Sequence, residues 1–246
     1  MAKQVTKNAT VLLHSLDLSS YSNNVGIPVS IEPGESTNFA SAGWRERVPG
    51  LRDSEWTLEG FLDHIDPEAT LSAFATGLVP RPLGASMTNP VAANDIMYFA
   101  DCVGLKYEPN KVIGNMFGYS VQAKEASPLV RGICLEKVAR AATGNSAAQD
   151  LGVAIGATER LYYALWITSV SGTSPTLDIL LESDTVGFGS ATTRATLAQQ
   201  TAVGSVFGYV AGAITDTYWR VNATIGGSDT PTFTYVFAIG RVPLSV

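Results

Sequence analysis

Apolar and polar residues alternate with a period of two along most of the chain, which is the pattern of half-buried β-strands. In the segment that follows Ser54, for example, Trp56, Leu58 and Leu62 fall on one face and polar residues fall on the other. Runs of this kind end at Gly, Pro, Asn, Asp or Ser, which are typical turn residues. The pattern predicts strands at Ala9–Asp17, Val25–Glu32, Glu55–His64, Ile96–Tyr107, Asn115–Lys124, Arg131–Arg140, Leu161–Val170, Thr176–Glu182, Thr193–Leu197, Val206–Val210, Tyr218–Ile225 and Thr232–Arg241.

One short helix is predicted among these strands. Residues Pro67–Thr76 have a proline at the first helical position, Asp66 before it as a possible N-cap, and Gly77 after it as a stop signal. Leu71 and Phe74 would then share the buried face of this helix.

Three segments are predicted to interrupt the strand pattern. Gly60 leaves a gap in an apolar face, which indicates a bulge or bend. Pro33 and Gly34 form a turn pair that ends the second strand. The segment Val79–Asn94 contains three prolines and is predicted to be a long loop. Loops of this length commonly serve function or assembly, so we expect an arm that orders on contact with another copy.

The composition changes near residues 141–148, which are small and polar as in a linker. We therefore predict two domains, at residues 1–142 and 143–246. In the second domain, short strands alternate with Gly, Ser, Thr and Asp turns, which favours a β-sandwich of jelly-roll or immunoglobulin-like type.

Composition and charge exclude several classes of protein. Hydrophobic residues make up 46% of the 246 residues and charged residues 15%, so a disordered chain is not expected. The net charge is −6, whereas a protein that grips nucleic acid needs a surplus of Lys and Arg. No apolar run approaches the ~20 residues that span a bilayer, and the first residues lack the apolar core of a secretory signal.

The residues that carry most enzyme chemistry are sparse. His14 and His64 are the only histidines, and no nucleophile-elbow motif accompanies them. Cys102 and Cys134 lie too far apart in sequence for a zinc motif, which favours two buried thiols, although their pairing stays open. We predict no enzymatic activity, no cofactor and no metal.

Acidic side chains form two further kinds of candidate. Asp63, Asp66 and Glu68 surround His64 but lack the order of a calcium loop, so they are interpreted as charges at the start of the helix. Two carboxylate pairs could form a glycosidase-like dyad but are interpreted as solvated strand ends: Asp53 with Glu55, and Glu182 with Asp184.

The segment Gly43–Asp53 concentrates three arginines and two acids around one tryptophan. This density of opposed charge suits a surface where guanidinium groups pair with carboxylates of a neighbouring subunit and the indole anchors the contact. An ordinary salt-bridged turn is the alternative. The candidate interface residues are Trp44, Arg45, Glu46, Arg47, Arg52 and Asp53.

Several short motifs, taken in order, resemble those of the tail tube (major tail) proteins of tailed bacteriophages. In the first half these are Leu16–Tyr21, Thr37–Phe39, Gly43–Glu46, Gly50–Asp53 and Leu58–Phe61. Two more follow at Val130–Ile133 and Ile214–Val221. The most distinctive of them is the Gly-Leu-Arg-Asp motif after the Trp-Arg-Glu segment. The resemblance covers most of the chain, with residues 1–142 similar to the tube domain and 143–246 to an appended outer domain.

The resemblance implies a fold, an assembly and a function. The first domain would be a β-sandwich with a flanking helix, and copies would form homo-hexameric rings that stack into the tail tube. Other tail and neck proteins would be partners, and the protein would reside in the virion after assembly in the host cytoplasm. DNA would pass through the lumen without specific binding, which an acidic wall favours because it does not retain phosphate.

Other functions remain open at this stage. A neck or tail-completion protein, a baseplate ring or a capsid decoration protein would share the same architecture. A glycan-binding module is a separate possibility, in which Trp166, Tyr218 and Trp219 form a stacking platform instead of packing in the core.

Overall fold

The computed structural model describes residues 9–36, 47–62, 65–77, 79–110 and 117–243, and these residues are almost entirely β. The elements are β1 Thr10–Leu13, β2 Leu16–Asp17, β3 Ser22–Gly26, β4 Val29–Glu35, β5 Arg47–Leu62, α1 Ile65–Thr76, β6 Arg81–Ser86, β7 Ile96–Asn110, β8 Phe117–Glu125, β9 Val130–Arg140, β10 Gly144–Asn145, β11 Gln149–Asp150, β12 Glu159–Asp184, β13 Thr192–Thr196, β14 Gly204–Ala211 and β15 Tyr218–Pro243. The strand ladders are antiparallel. The all-β prediction is therefore confirmed.

The described residues divide into two compact units, each taken here by itself. Unit 1 comprises the described parts of residues 1–21, 80–102 and 127–246, and unit 2 those of residues 22–79 and 103–126. Strand β7 begins in unit 1 and ends in unit 2.

Unit 1 is organised by the two longest strands, β12 and β15, which pair from Glu159 opposite Pro243 to Asp184 opposite Tyr218. Four segments predicted as separate strands are thus two continuous strands with a bend in the middle. The bend lies where the register shifts, between Ile167 and Thr176. It brings residues from both ends of β12, such as Leu161 and Leu181, into one buried cluster.

Glycines at the bend allow both strands to turn. Gly172 has a φ of +101° and Gly227 a φ of +114°, in the left-handed region that other residues rarely adopt. A Cβ on Gly172 would lie 2.7 Å from the Cα of Pro231, and one on Gly227 would lie 2.8 Å from the carbonyl oxygen of Ser174. The backbone therefore approaches itself too closely for any side chain at either position.

The strand order of unit 1 runs β13-β12-β15-β9-β7-β6-β1-β2, and β14 pairs with the other half of β12. Alternate residues of β12 and β15 face two different cores. Leu165 and Phe237 belong to the cluster that the bend closes, whereas Trp166 and Val236 belong to a second cluster with Phe99 of β7. Burial on both faces explains why these strands are apolar over long runs.

Unit 2 contains β3, β5, β8 and the end of β7, with α1 alongside. The predicted alternation in β5 is confirmed, because Trp56, Leu58 and Leu62 are buried while Glu59 and Phe61 are exposed. The predicted bulge near Gly60 is found on the partner strand, where the register of β3 shifts between Ser22 and Asn24.

The helix is confirmed with an earlier start, at Ile65 in place of Pro67, so Asp66 lies inside its first turn and is not the N-cap. Leu71 and Phe74 are buried as predicted. Gly77 follows the last helical residue and donates its N–H to the carbonyl oxygen of Ala73 at 2.8 Å. The helix contacts β5 and β8 of unit 2.

Two segments predicted as irregular are instead paired. Pro33 and Gly34 lie within β4, opposite Pro49 and Val48, so the predicted turn there is wrong. A register shift just before Pro33 accommodates its missing N–H.

The predicted arm at Val79–Asn94 is also wrong. Six of its residues form β6, which lies between β1 and β7. The remainder is fixed by hydrogen bonds, including Thr10 Oγ1 to the Thr88 carbonyl oxygen at 2.6 Å and the Val91 N–H to Thr10 Oγ1 at 3.1 Å. Asp95 Oδ2 accepts from Thr88 Oγ1 and from the Ala92 N–H, both at 2.8 Å.

The division into units does not coincide with the boundary predicted between residues 142 and 143. Strand β9 pairs with β15 from Arg140 opposite Phe233 to Ile133 opposite Ile239. Cys134 of β9 packs in the same cluster as Trp166 of β12. The ladder and this core thus cross the predicted boundary.

Candidate assembly surface

The surface most open to pairing is a two-stranded ribbon in unit 2. It consists of β4, Val29–Glu35, and the first half of β5, Arg47–Ser54. Within the described residues β4 pairs only with β5, and β5 gains its other partners, β3 and β8, only after Ser54. Both outer edges of the ribbon therefore carry backbone N–H and C=O groups without a strand partner in that part of the chain.

Large apolar side chains are exposed on this ribbon. Val29 is 56% exposed and Ile31 is 49% exposed. Ile31 lies opposite Arg52, and Ser30 lies opposite Asp53. Arg52 and Asp53 are both exposed and point to opposite faces because they are adjacent on a strand. Few partners and exposed apolar side chains make the ribbon a candidate surface for the addition of another strand.

Among the ribbon side chains that the structure describes, one ion pair is present, and it lies within the chain. Lys124 of β8 places its Nζ 2.8 Å from Asp53 Oδ2, and both side chains are about half exposed. An exposed pair of this kind contributes less than about 1 kcal/mol, so it does little to hold the ribbon in place.

Only part of the predicted interface lies where the structure describes it. Trp44, Arg45 and Glu46 are outside the described residues. Arg47 is in β5 opposite Glu35, and nothing is described of its side chain. Arg52 and Asp53 lie on the ribbon as exposed residues, so the assignment of these six residues to a subunit interface stays a prediction.

Two buried polar atoms without partners mark the base of the ribbon. Ser54 is 3% exposed and Trp56 is fully buried, and neither Ser54 Oγ nor Trp56 Nε1 has a hydrogen-bond partner within the described parts of the chain. Each such group costs roughly 1–3 kcal/mol. The sequence pattern predicted the burial of Trp56 but gave no signal for these unpaired atoms.

Of the two histidines, only His14 lies in the part of the chain that the structure describes. His14 has a φ of +51°, in the turn between β1 and β2, and its Nδ1 lies 2.7 Å from Ser205 Oγ. Burial, with a smaller contribution from the positive charge of Arg81, lowers the pKa of His14. His64 lies outside the described residues. No group of three or more His, Cys, Asp or Glu side chains suited to a metal occurs among the residues described.

The carboxylates of the second candidate dyad are held by the chain itself. Glu182 accepts hydrogen bonds from Arg220 at 2.7 Å and from Asn222 at 3.0 Å. Asp184 accepts from the N–H groups of Ser190 at 2.9 Å and Thr185 at 2.7 Å, which fixes the loop after β12. The hydrogen bond from Ser190 makes the largest contribution to lowering the pKa of Asp184.

The aromatic platform proposed for glycan binding is wrong for both tryptophans. Trp166 and Trp219 are fully buried. Trp166 donates its Nε1–H to the Pro82 carbonyl oxygen at 2.9 Å and meets Phe99 edge-on. These rings fill the cores of unit 1 and present no face to a ligand.

Both cysteines are buried, as predicted, and Cys134 carries a free thiol. Burial raises the pKa of Cys134 to about 12, so the reactive thiolate is essentially absent at neutral pH. The Sγ of Cys102 lies 3.7 Å from the Ala100 carbonyl oxygen. In the described part of the chain, no helix has the length and apolar content to cross a membrane.

No protein-family model and no curated protein matches the chain. Among solved structures, it is similar to a chain in the virion of a native gene transfer agent particle, with 14% identity, a TM-score of 0.43, and coverage of 52% of this chain and 98% of that one. The tail tube of phage SPP1 matches with 10% identity and a TM-score of 0.40 over 52% of this chain and 78% of that one.

A third solved structure matches over nearly the full chain. The Dit protein of phage SPP1, described as a hub of the adsorption apparatus in phages that infect Gram-positive bacteria, has 13% identity and a TM-score of 0.38 over 95% of this chain and 99% of that one. At such identities and TM-scores, these likenesses carry no argument about function.

Proposed function

We propose that the protein is a structural component of a bacteriophage tail that assembles with copies of itself into stacked rings, the tail tube through which DNA passes. The observation that carries this proposal is the ribbon, whose two edges lack strand partners in the described chain and which exposes Val29 and Ile31. The order of short motifs in the sequence supports the same family. The ribbon belongs to residues 1–142, the part that resembles the tube domain.

Strand pairing between copies would give the ribbon edges the hydrogen-bonded strand partners that they lack within the described residues. A neighbouring strand that joins β4 would satisfy its free backbone groups and cover Val29 and Ile31. Ring closure removes the last free edge in the same way that a closed barrel does. Arg47, Arg52 and Asp53 of β5 carry both signs of charge, so complementary charges on a neighbour would set the register of the contact.

The acidic balance of the chain fits a conduit for DNA. Each copy carries a net charge of −6, and a ring of copies would therefore repel phosphate weakly instead of binding it. The role is mechanical and needs no catalysis, cofactor or metal.

Charge reversal on the ribbon tests the proposal. We expect Arg47→Glu and Arg52→Glu to prevent assembly while the monomer keeps its fold, because the side chain of Arg52 is exposed and lies outside the core of unit 2. The measurement is sedimentation velocity combined with circular dichroism. The matched control is Arg131→Glu, an exposed arginine of β9 in unit 1, which should assemble like the wild type.

Two outcomes would count against the tube. If both ribbon variants assemble normally, the ribbon is not the contact. If the wild-type protein is present at one ring per virion, a hub, baseplate or neck ring replaces the tube, because a tube protein must be among the most abundant proteins of the particle.

A further inference from the structure

Strand β14 leaves a second open edge, in unit 1. Its eight residues pair along their full length with Arg160–Ile167 of β12, and β12 is their only strand partner among the described residues. The strand contains neither proline nor charge. Tyr209 in its middle is 51% exposed. Long, uncharged edges of this kind are sites of strand addition.

Other edges of unit 1 are protected in the usual ways. Strand β13 has five residues and carries Arg194, and β2 has only two residues. Short edge strands and charged side chains discourage pairing with another chain. The contrast shows that β14 is the exception in its unit.

The sequence of β14 reads almost the same in both directions. Around Gly208, Phe207 matches Tyr209 and Val206 matches Val210. The match continues outward, with Ser205 against Ala211 and Gly204 against Gly212. Two antiparallel copies centred on Gly208 would therefore place similar residues opposite each other at every position, which is the self-complementarity that a two-fold interface requires.

The side chains of β14 already lie on the faces that this pairing needs. Val206 and Val210 pack against one core of unit 1, and Phe207 packs against the other. Directly opposite residues in an antiparallel pair share a face, so each Phe207 would meet the Tyr209 of the second copy. The guanidinium of Arg160 lies 4.1 Å from the ring centroid of Tyr209, which orders that ring before any contact forms.

We propose that β14 pairs antiparallel with β14 of a second copy about a two-fold axis at Gly208, which joins their sheets into one. The strand that pairs with this edge is β14 of a second copy, because the nearly palindromic sequence of β14 is complementary to itself in antiparallel pairing. This contact uses a different strand from the ribbon and does not depend on the proposed tube.

The first test measures association in an Ile31→Lys background, which removes assembly through the ribbon. Sedimentation velocity over a concentration series should show a dimer, and Tyr209→Lys should weaken it at least about tenfold, since it replaces two aromatic pairs with like charges near one another. Val186→Lys, at a loop residue that is 75% exposed, is the matched control and should dimerise normally. A monomer at every concentration, or an undiminished dimer of the Tyr209→Lys variant, would overturn the proposal.

The second test fixes the register. One chain carries Ser205→Cys and another carries Ala211→Cys, and thermal melting first checks that both variants are folded. A short thiol crosslinker should join the two only when they are mixed, because Ser205 lies opposite Ala211 of the second copy but about 20 Å from its Ser205. Antiparallel pairing at Gly208 would be contradicted if either variant crosslinked with itself, or if the mixture of the two gave no crosslink.

Discussion

The paired strands β12 and β15 and the ribbon of β4 and β5 are both antiparallel two-strand ladders, yet they lie in opposite environments. Strands β12 and β15 are 26 residues each, and their residues fill two buried clusters. The ribbon exposes Val29, Ile31, Arg52 and Asp53 and has no further strand on either edge within the described residues.

The difference lies in what covers the side chains. The long pair contains one satisfied buried network, in which Tyr235 donates to Glu136 Oε2 at 2.6 Å and Arg140 Nε donates to Tyr235 at 3.1 Å. Its Trp219 Nε1, however, is buried with no hydrogen-bond partner among the described residues. At the base of the ribbon, Ser54 Oγ and Trp56 Nε1 likewise lack a partner among the described residues, so unpaired polar atoms do not separate the two ladders. What separates the ladders is burial: the side chains of the long pair fill two clusters within the chain, whereas the ribbon exposes Val29 and Ile31 and would gain most from a neighbouring strand.

Deletion of residues 146–246 should have the largest effect. It removes β12 and β15, and with them one of the two strand partners of β9, nearly all of one buried cluster and about half of the other. We expect the remaining fragment to lose the fold of unit 1, which circular dichroism and thermal melting would measure. A soluble fragment with a cooperative melt would instead support a domain boundary at 142/143.

Trp166→Ala should destabilise the monomer by about 3–5 kcal/mol, because it empties a fully buried ring position and removes the hydrogen bond to Pro82. Ile31→Ala, at the exposed ribbon residue, should change the free energy of unfolding by less than about 0.5 kcal/mol. Chemical denaturation measures both. If both variants lost the same free energy of unfolding, the proposed difference between the two ladders would be contradicted.

Tyr235→Phe should cost about 1–2 kcal/mol, since Glu136 and Arg140 both lose a hydrogen-bond partner in a buried network. Tyr209→Phe is the matched control, since the Tyr209 side chain is about half exposed. The same denaturation experiment applies, and a loss for Tyr209→Phe as large as for Tyr235→Phe would contradict this interpretation.

The smallest effect concerns His14 and pH. Burial and Arg81 lower its pKa from the usual 6.5, so the folded state favours the neutral ring. Its contribution to stability is therefore complete above about pH 6.5 and is lost as the pH falls through the folded-state pKa. We expect His14→Asn, which tolerates the positive φ, to flatten this part of the stability profile. An identical profile for the variant would contradict the coupling.

Much of the fold could be predicted from the sequence because period-two alternation reports burial directly. It located β9 at Arg131–Arg140 against the observed Val130–Arg140, and it identified the buried face of β5. The period-two pattern failed to predict the structure where distant strand partners determine it. The bend between Ile167 and Thr176 was predicted as a break between strands, and the proline-rich segment before Asn94 as a free arm, although β1 and β7 enclose its strand.

The candidate surface was predictable only in part. The dense charge after Gly43 singled out Arg52 and Asp53, which lie on the ribbon. The exposure of Val29 and Ile31 could not be predicted, because an apolar strand that faces solvent has the same sequence pattern as one that faces a core. In the structure, the missing strand partners distinguish the solvent-facing apolar strand from one that faces a core.

Electron microscopy of the purified wild-type protein at high concentration, beside the Ile31→Lys variant, tests the central claim most directly. The account predicts rings or stacked tubes for the wild type, with strands of neighbouring copies joined at the ribbon, and none for the variant. A wild-type protein that stays monomeric at every concentration, or a variant that forms the same rings, would contradict it.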